Sequence, residues 1–282
     1  GLPAVRSLAY GERMHPGLGP AAEAELLCVG QLKLRERLRQ PQGEFVIWDV
    51  GLGAAANAIT ALRATRDLPC PLRLISFDDT LEPLAFALAN ATALGYLQGY
   101  EAAVGKVLQD RCLEFRDGGR PVCWEICVGD FPTMLASKAA VNLPIPHAIF
   151  FDAFSPAKNP AMWTLPLFTD LFRLLDPQRP CALTTFSRST MVRVALLLAG
   201  FLVGRGRPSG AKEETTVAAN TLARLDEPLD AAWLQRARKS GGAEPLQEPS
   251  YRQSPLSAES WTRLATHPQF RSGAGESAGS PS

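Results

Sequence analysis

Histidine is scarce in this sequence, with three in 282 residues, and the six cysteines form no Cys-x-x-Cys pair. That pattern argues against a zinc site and a disulfide framework, and favours thiols acting as small buried hydrophobes in a reducing compartment. Neither sign of charge is in excess, since 29 Lys and Arg stand against 28 Asp and Glu. No whole-molecule positive field therefore advertises a nucleic-acid partner, which would have to be met by a local basic patch. Long apolar runs are missing too. The longest, Val192 to Val203, contains Arg193 and Gly200 and is too short to span a bilayer, so no membrane partner is expected. Gly1 to Tyr10 lacks the basic start and apolar stretch of a signal peptide, which makes the cytoplasm the expected location. What is present, 46% hydrophobic and 20% charged residues, suffices for a full core in one domain with additions.

Leu2 to Gln40 reads as an N-terminal extension, helical from about Ala21, with Leu26, Leu27, Leu34 and Leu38 at helix-like intervals. Lys33, Arg35, Arg37 and Arg39 do not share a helical face, so a solvated surface is their expected place. From Glu44 the pattern becomes strand, turn, helix, repeated. Phe45 to Val50 is β-rich and ends in Gly51-Leu-Gly53; Ala54 to Ala64 is a strong helix former; Leu72 to Phe77 is the next buried strand. Asp78-Asp79-Thr80 opens a helix towards Gly95. Arg111 to Val128 reads as two strands turned at Asp117-Gly118-Gly119. His147 to Phe151 and Cys181 to Phe186 are further strands, with Pro166 to Leu175 helical between them. Ser187 or Ser189 caps a helix that stops at Gly200, and Phe201 to Arg205 and Thr215 to Asn220 close the sheet as a pair. Alternating apolar strands and helices predict an α/β, Rossmann-like, doubly wound and mostly parallel sheet with a final antiparallel strand. The expected organisation is a helical extension over 1–43, the α/β domain over 44–225, and an extension over 226–282 whose tail, Ser272 to Ser282, is disordered.

In open α/β sheets a ligand lies outside the carboxyl ends of the strands. Polar residues gather there: Asp49, Gly51, Gly53 and Asn57 around the first turn, Asp78 after the second strand, Gly129-Asp130-Phe131 after the hairpin, and Asp152 after the next strand. The glycines permit a sharp turn and close ligand approach. Asp78 has the spacing of an acid that accepts from both ribose hydroxyls, and Asp130 with Phe131 suits an adenine. A tight strand–helix turn and plain helix caps are the structural alternatives. Together the carboxylates favour a nucleoside ligand. Gly51-x-Gly53-x-x-Ala56 formally satisfies the dinucleotide pattern, but no second mononucleotide half is evident, and no His or Tyr is placed for hydride chemistry. S-adenosylmethionine needs one nucleoside site, a small zwitterionic pocket and no pyrophosphate cradle, and fits better. The most informative run is Asp152-Ala-Phe-Ser-Pro-Ala-Lys-Asn-Pro-Ala-Met-Trp163, whose prolines limit the loop's freedom. Such a loop can hold acceptors around an amine and an aromatic against a base. Its alternative reading is a rigid turn with Trp163 plugging the core.

That run resembles the methyltransferase domain of the bifunctional tRNA wobble-uridine enzymes of the MnmC family and their stand-alone, MnmD-type relatives. The resemblance continues in Asp49-Val-Gly-Leu-Gly53 with Asn57, Ile75-Ser-Phe-Asp78, Gly129-Asp130, Tyr10-Gly-Glu12 through His15, Gly19 and Glu23, and Lys212-Glu-Glu-Thr215. It covers roughly Tyr10 to Leu225. It implies a class I fold, S-adenosylmethionine as cofactor with S-adenosylhomocysteine as product, and no metal. It also implies methylation of the exocyclic amine of 5-aminomethyl-(2-thio)uridine in tRNA. No FAD-binding half is in view, so a stand-alone enzyme without FAD is expected. By position, Gly51, Gly53, Asn57, Asp78, Asp130 and Phe131 would meet the cofactor. Asp152 would face the transferring methyl and the amine, and Phe154, Ser155, Pro156, Lys158, Trp163 and Lys212 would meet the substrate. Ala54 and Ala55 stand where the family has Thr and a third Gly. At first helical positions alanine costs little, although its methyl tightens the methionine end of the cofactor site.

Lys158, Arg205, Arg207 and Lys212 are candidate contacts to tRNA phosphates, with solvated surface charges as the alternative. Two other functions stay open on the sequence: methylation of a small amine or another acceptor, which the near-neutral charge suits, and a non-catalytic Rossmann-like module, hinted at by Ala54 and Ala55. A monomer is the expected state.

Overall fold

Strand β1 (Phe45–Val50) is buried at every position because both of its faces are covered, as a central parallel strand requires. Phe45 and Ile47 point to one apolar layer, and Val46, Trp48 and Val50 to the other. A computed structural model describes residues 5–6, 10–12, 14, 18–39, 43–210 and 212–271. The expected disordered tail over 272–282, and His15, lie outside them.

The other strands are β2 (Leu72–Asp78), β3 (Cys112–Asp117), β4 (Arg120–Val128), β5 (Ala148–Phe151), β6 (Ala182–Thr185), β7 (Leu202–Gly206) and β8 (Thr215–Ala219). They form one sheet in the order β3-β4-β2-β1-β5-β6-β8-β7. Pairings from β4 across β2, β1 and β5 to β6 are parallel, while β3 on β4 and β8 on both β6 and β7 are antiparallel. This is the doubly wound, mostly parallel sheet expected, with the Asp117-Gly118-Gly119 hairpin adding β3 at one edge. The chain leaves β1 towards β2 on one side and returns to β5 on the other, so the switch point lies between β1 and β5.

One face carries the helix Ala56–Thr65 and the N-terminal helical segments Pro20–Ala24, Glu25–Gln31 and Leu34–Arg39, whose Cys28, Val29, Leu34 and Leu38 enter the same core layer. The opposite face carries Phe131–Ala136, Leu165–Arg173, Thr190–Ala199, Ala231–Arg238 and Ala258–Ala265. Residues after Asp226 also cover the β7 edge. Arg205 N donates to Glu227 O, and the Gln269 amide bonds both Val203 N and Val203 O at 2.8 Å, satisfying an edge that would otherwise be free to pair.

Four local expectations need correction. Arg37 is not solvated: it is 7% exposed, packs over the Phe45 ring, and its Nη2 donates to His147 O at 2.7 Å and Pro180 O at 3.1 Å. Cys112 is exposed, because an edge strand shows one face to solvent. Ser189 occupies the N-cap position of Thr190–Ala199, yet its side chain makes no capping bond; its N–H instead donates to Ser187 Oγ. The helix after β1 begins at Ala56 rather than Ala54, with Ala55 in the left-handed region at φ 60°.

Candidate active site

The register of the three central strands sets the site. Val50 lies opposite both Phe77 and Phe151, so the chain leaves β1, β2 and β5 at one level. Gly51 N and Leu52 N donate to Phe77 O, Asp152 N to Val50 O, and Gly129 N to Asp78 O. Asp130, Asp78, Gly51 with Gly53, and Asp152 therefore follow one another along the strand tips, neighbouring strands being about 4.8 Å apart.

Gly51 has φ 90°, and a Cβ there would lie 2.6 Å from Asp152 O. Only a residue without a side chain lets the first turn touch the backbone of the loop after β5. Gly53, at φ 51°, points its N–H at Asp78 Oδ2, 2.7 Å away. Asp78 Oδ1 accepts from Thr80 N at 3.3 Å, so Asp78 ties two turns together, and the helix beyond begins only at Glu82 and is interrupted at Asn90. Burial pushes the Asp78 carboxyl up to about 6, with its neighbour Asp79 adding to the rise and the Gly53 N–H opposing it. A carboxylate offers four lone-pair directions, and these two bonds leave Asp78 able to accept from a diol.

Asp152 Oδ2 accepts from Asn57 Nδ2 at 2.8 Å, which fixes the carboxylate against the first turn of the helix after β1. Asn57 is 3% exposed, and among the described residues its Oδ1 has no hydrogen-bond donor. Beneath, Asp49 accepts from Ser76 Oγ, which accepts in turn from Trp124 Nε1, each at 3.0 Å. Tyr96 donates to Ala54 O at 2.7 Å and holds the turn from the side.

Asp130 caps the helix Phe131–Ala136 through Thr133 N at 3.0 Å, and it is exposed. Phe131 faces inward, edge-on to Phe77 and Phe151, so a ligand at the surface does not stack on it. Trp163 needs the same correction. It is 2% exposed, packs on Phe151 and Phe168, and donates from Nε1 to Phe154 O at 2.8 Å, supporting the Asp152 loop from below. Phe154, Ser155 and Pro156 are half-buried beside Asp152, and Lys158 is exposed. Lys212 donates to Phe186 O at 3.0 Å, and Arg205 pairs with Glu214 at 3.6 Å.

Residues from the N-terminal segment complete this end. The Tyr10 ring stacks on Phe154 with centroids 4.3 Å apart, and its hydroxyl donates to Asp79 Oδ2 at 3.1 Å. Glu12 accepts from Ser155 N at 3.1 Å and Ser155 Oγ at 2.5 Å. The Met14 sulfur would lie 3.3 Å from a Cβ on Gly53. Periodicity and strand-tip logic miss all three because they lie in no regular element; the Tyr10-Gly-Glu12 match to a known family was the available signal.

The donor set is made of acceptors along a line: Asp130, Asp78, and Asp152 beside the orphaned amide oxygen of Asn57. It suits a ligand rich in N–H and O–H groups, such as an adenine amine, a ribose diol and an ammonium. Residues 111–221 match the family described as S-adenosyl-L-methionine-dependent methyltransferase. With the sheet order, this gives the chain the fold class of the Rossmann-like class I S-adenosylmethionine-dependent methyltransferases.

Within that class the chain is similar to MnmC proteins. Over 211 residues, 71% of this chain and 30% of the relative, it is 39% identical to the tRNA 5-methylaminomethyl-2-thiouridine biosynthesis bifunctional protein MnmC of Ectopseudomonas mendocina. It is 32% identical over 238 residues, 80% of this chain and 35% of the relative, to the MnmC protein of Cupriavidus necator. The chain thus spans about a third of the length of these curated relatives. The crystal structure of MNMC2 from Aquifex aeolicus shares the fold at a TM-score of 0.68 and 24% identity, over 94% of this chain and 81% of that one.

Proposed function

We propose that the chain methylates the exocyclic amine of 5-aminomethyl-(2-thio)uridine at the wobble position of tRNA, giving 5-methylaminomethyl-(2-thio)uridine. The observation that carries this reading is the Asp152 carboxylate, held by Asn57 at the switch point where the loop after β5 meets Gly51. The names of the curated relatives support the choice of substrate.

In this reading Asp78 would hold the ribose of the cofactor, Asp130 its adenine amine, and Gly51, Gly53 and Asn57 its methionyl end. When bound, S-adenosylmethionine supplies an electrophilic methyl on a sulfonium. The amine must attack in line and as a free base, since an ammonium has no lone pair. Asp152 accepts an N–H from the amine and directs its lone pair. Solvent takes the proton, because a carboxylate is too weak a base for an alkyl amine. In-line attack would form the N–C bond as the C–S bond breaks, the electron pair of the broken bond leaving with sulfur. Orientation supplies most of the acceleration. The loop of Phe154, Ser155 and Pro156, steadied by Tyr10, Glu12 and Trp163, provides the surface against the base.

The test is mass spectrometry of wobble nucleosides after incubation with S-adenosylmethionine and hypomodified tRNA. A gain of one methyl on the aminomethyl nucleoside, absent with unmodified tRNA, is expected. No gain on tRNA, together with methylation of a small free amine, would replace this substrate.

A further inference from the structure

At the opposite end of the sheet, where β1, β5 and β6 begin, lies a pocket of about 220 Å³ lined by Lys33, Glu36, Arg37, His147, Arg179, Pro180 and Arg224. Four of these side chains are cationic, and Glu36 is the one carboxylate among the described residues of the lining. The nearby Asp226 is already bonded to Lys33 at 2.5 Å. Arg37 is fixed in the wall by main-chain carbonyls and by the face of Phe45. Arg179 donates from Nη2 to Ile145 O at 3.1 Å, while its buried Nε has no acceptor among the described residues. Arg37, Arg179 and Arg224 thus line a single pocket. Burial and the charge of Arg224 hold the Arg37 guanidinium down to about 10, so at neutral pH it keeps its proton under mutual repulsion.

His147 adds a donor. Its Nδ1 accepts from Val46 N at 3.0 Å, which puts the proton of the neutral ring on Nε2. Burial, with Arg179 and Arg37, holds the ring's pKa down to about 4, so it stays neutral. The wall is thus rich in fixed N–H donors and short of acceptors, the arrangement that recognises an oxyanion with several equivalent oxygens.

We propose that this pocket binds a phosphate group through Arg37, Arg179 and Arg224, at the end of the sheet remote from Asp152. The phosphate belongs either to an RNA backbone or to a free phosphate or small phosphorylated molecule; only the first source draws on the tRNA reading above.

The test uses the full chain and an Arg179→Gln/Arg224→Gln double variant, both sites being partly exposed and so tolerant of change. Calorimetry with inorganic phosphate, against chloride at matched ionic strength, should show binding that the variant weakens about tenfold or more, with S-adenosylhomocysteine affinity unchanged as proof of folding. Titration with tRNA then separates the sources. If the phosphate is an RNA one, the variant binds tRNA several-fold more weakly, and the slope of log affinity against log salt falls by about one to two. If it is a free one, tRNA affinity is unchanged while phosphate binding is lost. Equal phosphate and tRNA binding by wild type and variant overturns the proposal, whether or not methyl transfer occurs.

Discussion

The two ends of the sheet carry opposite chemistry. The carboxyl tips of β1, β2, β4 and β5 present Gly51, Asp78, Asp130 and Asp152, whereas the amino ends of β1, β5 and β6 are surrounded by Arg37, His147, Arg179 and Arg224. Helix dipoles help to explain the division. A helix that follows a parallel strand starts near that strand's carboxyl tip and finishes near the amino ends, so anions are stabilised at the first end and cations at the second. The ends also differ in what holds them. Asp78 and Asp152 are fixed by N–H groups from other turns, while Arg37 is fixed by carbonyls and an aromatic face. Substitutions at the acidic end should therefore disturb ligands, and substitution of Arg37 at the basic end should disturb the fold.

The largest effect expected is that of Asp152→Ala, which should lower turnover about a hundredfold or more while cofactor affinity, read by calorimetry, changes only a few-fold. Equal loss of both would make Asp152 a cofactor ligand and move the reacting end elsewhere. Next comes Arg37→Ala. Removing a buried side chain that satisfies His147 O and Pro180 O should cost about 2–3 kcal/mol in denaturant unfolding, with S-adenosylhomocysteine affinity unchanged. A drop in that affinity would show the two ends to be coupled.

Asp78→Asn should weaken S-adenosylhomocysteine about tenfold, and the pH dependence of binding identifies the group. With its carboxyl up at about 6, wild-type affinity should fall as pH drops below about 6, and the variant should show a flatter profile. Stability runs the other way. A carboxyl raised above its ordinary value near 4 contributes stability fully below about pH 4, and that contribution is lost as pH rises through about 6. Urea midpoints of wild type and Asp78→Asn across that window measure it. The smallest effect is a gain: Ala55→Gly should raise stability by about 1 kcal/mol, because glycine meets no Cβ penalty at φ 60°. No gain in melting temperature would mean that the lost packing of the Ala55 methyl cancels the relief.

Much of this was readable in the chain. The carboxylates at the tips could be found because each directly follows a β-rich run, and side chains at that point leave the sheet at its ligand end. The glycine turn is equally plain, but propensity starts its helix two residues early: alanine is the best helix former, and nothing local shows that the turn requires a left-handed residue at Ala55. Phe131 and Trp163 read as ligand contacts because aromatics beside a loop suit a base; the packing of Phe77, Phe151 and Phe168 turns them inward. Arg37 reads as solvated because charge normally faces water, and only the fold brings it the carbonyls of His147 and Pro180 that keep it buried.

By itself, then, the sequence determined the alternation of strands and helices and which acids leave the sheet at its carboxyl end, since both follow from local periodicity and chain direction. The tertiary structure alone decided which of those acids is anchored and by whom, how Tyr10 and Glu12 reach the loop after β5, and which three arginines line one pocket. Those are contacts between residues far apart in the chain, and their geometry exists only once strand register and helix packing have brought them together.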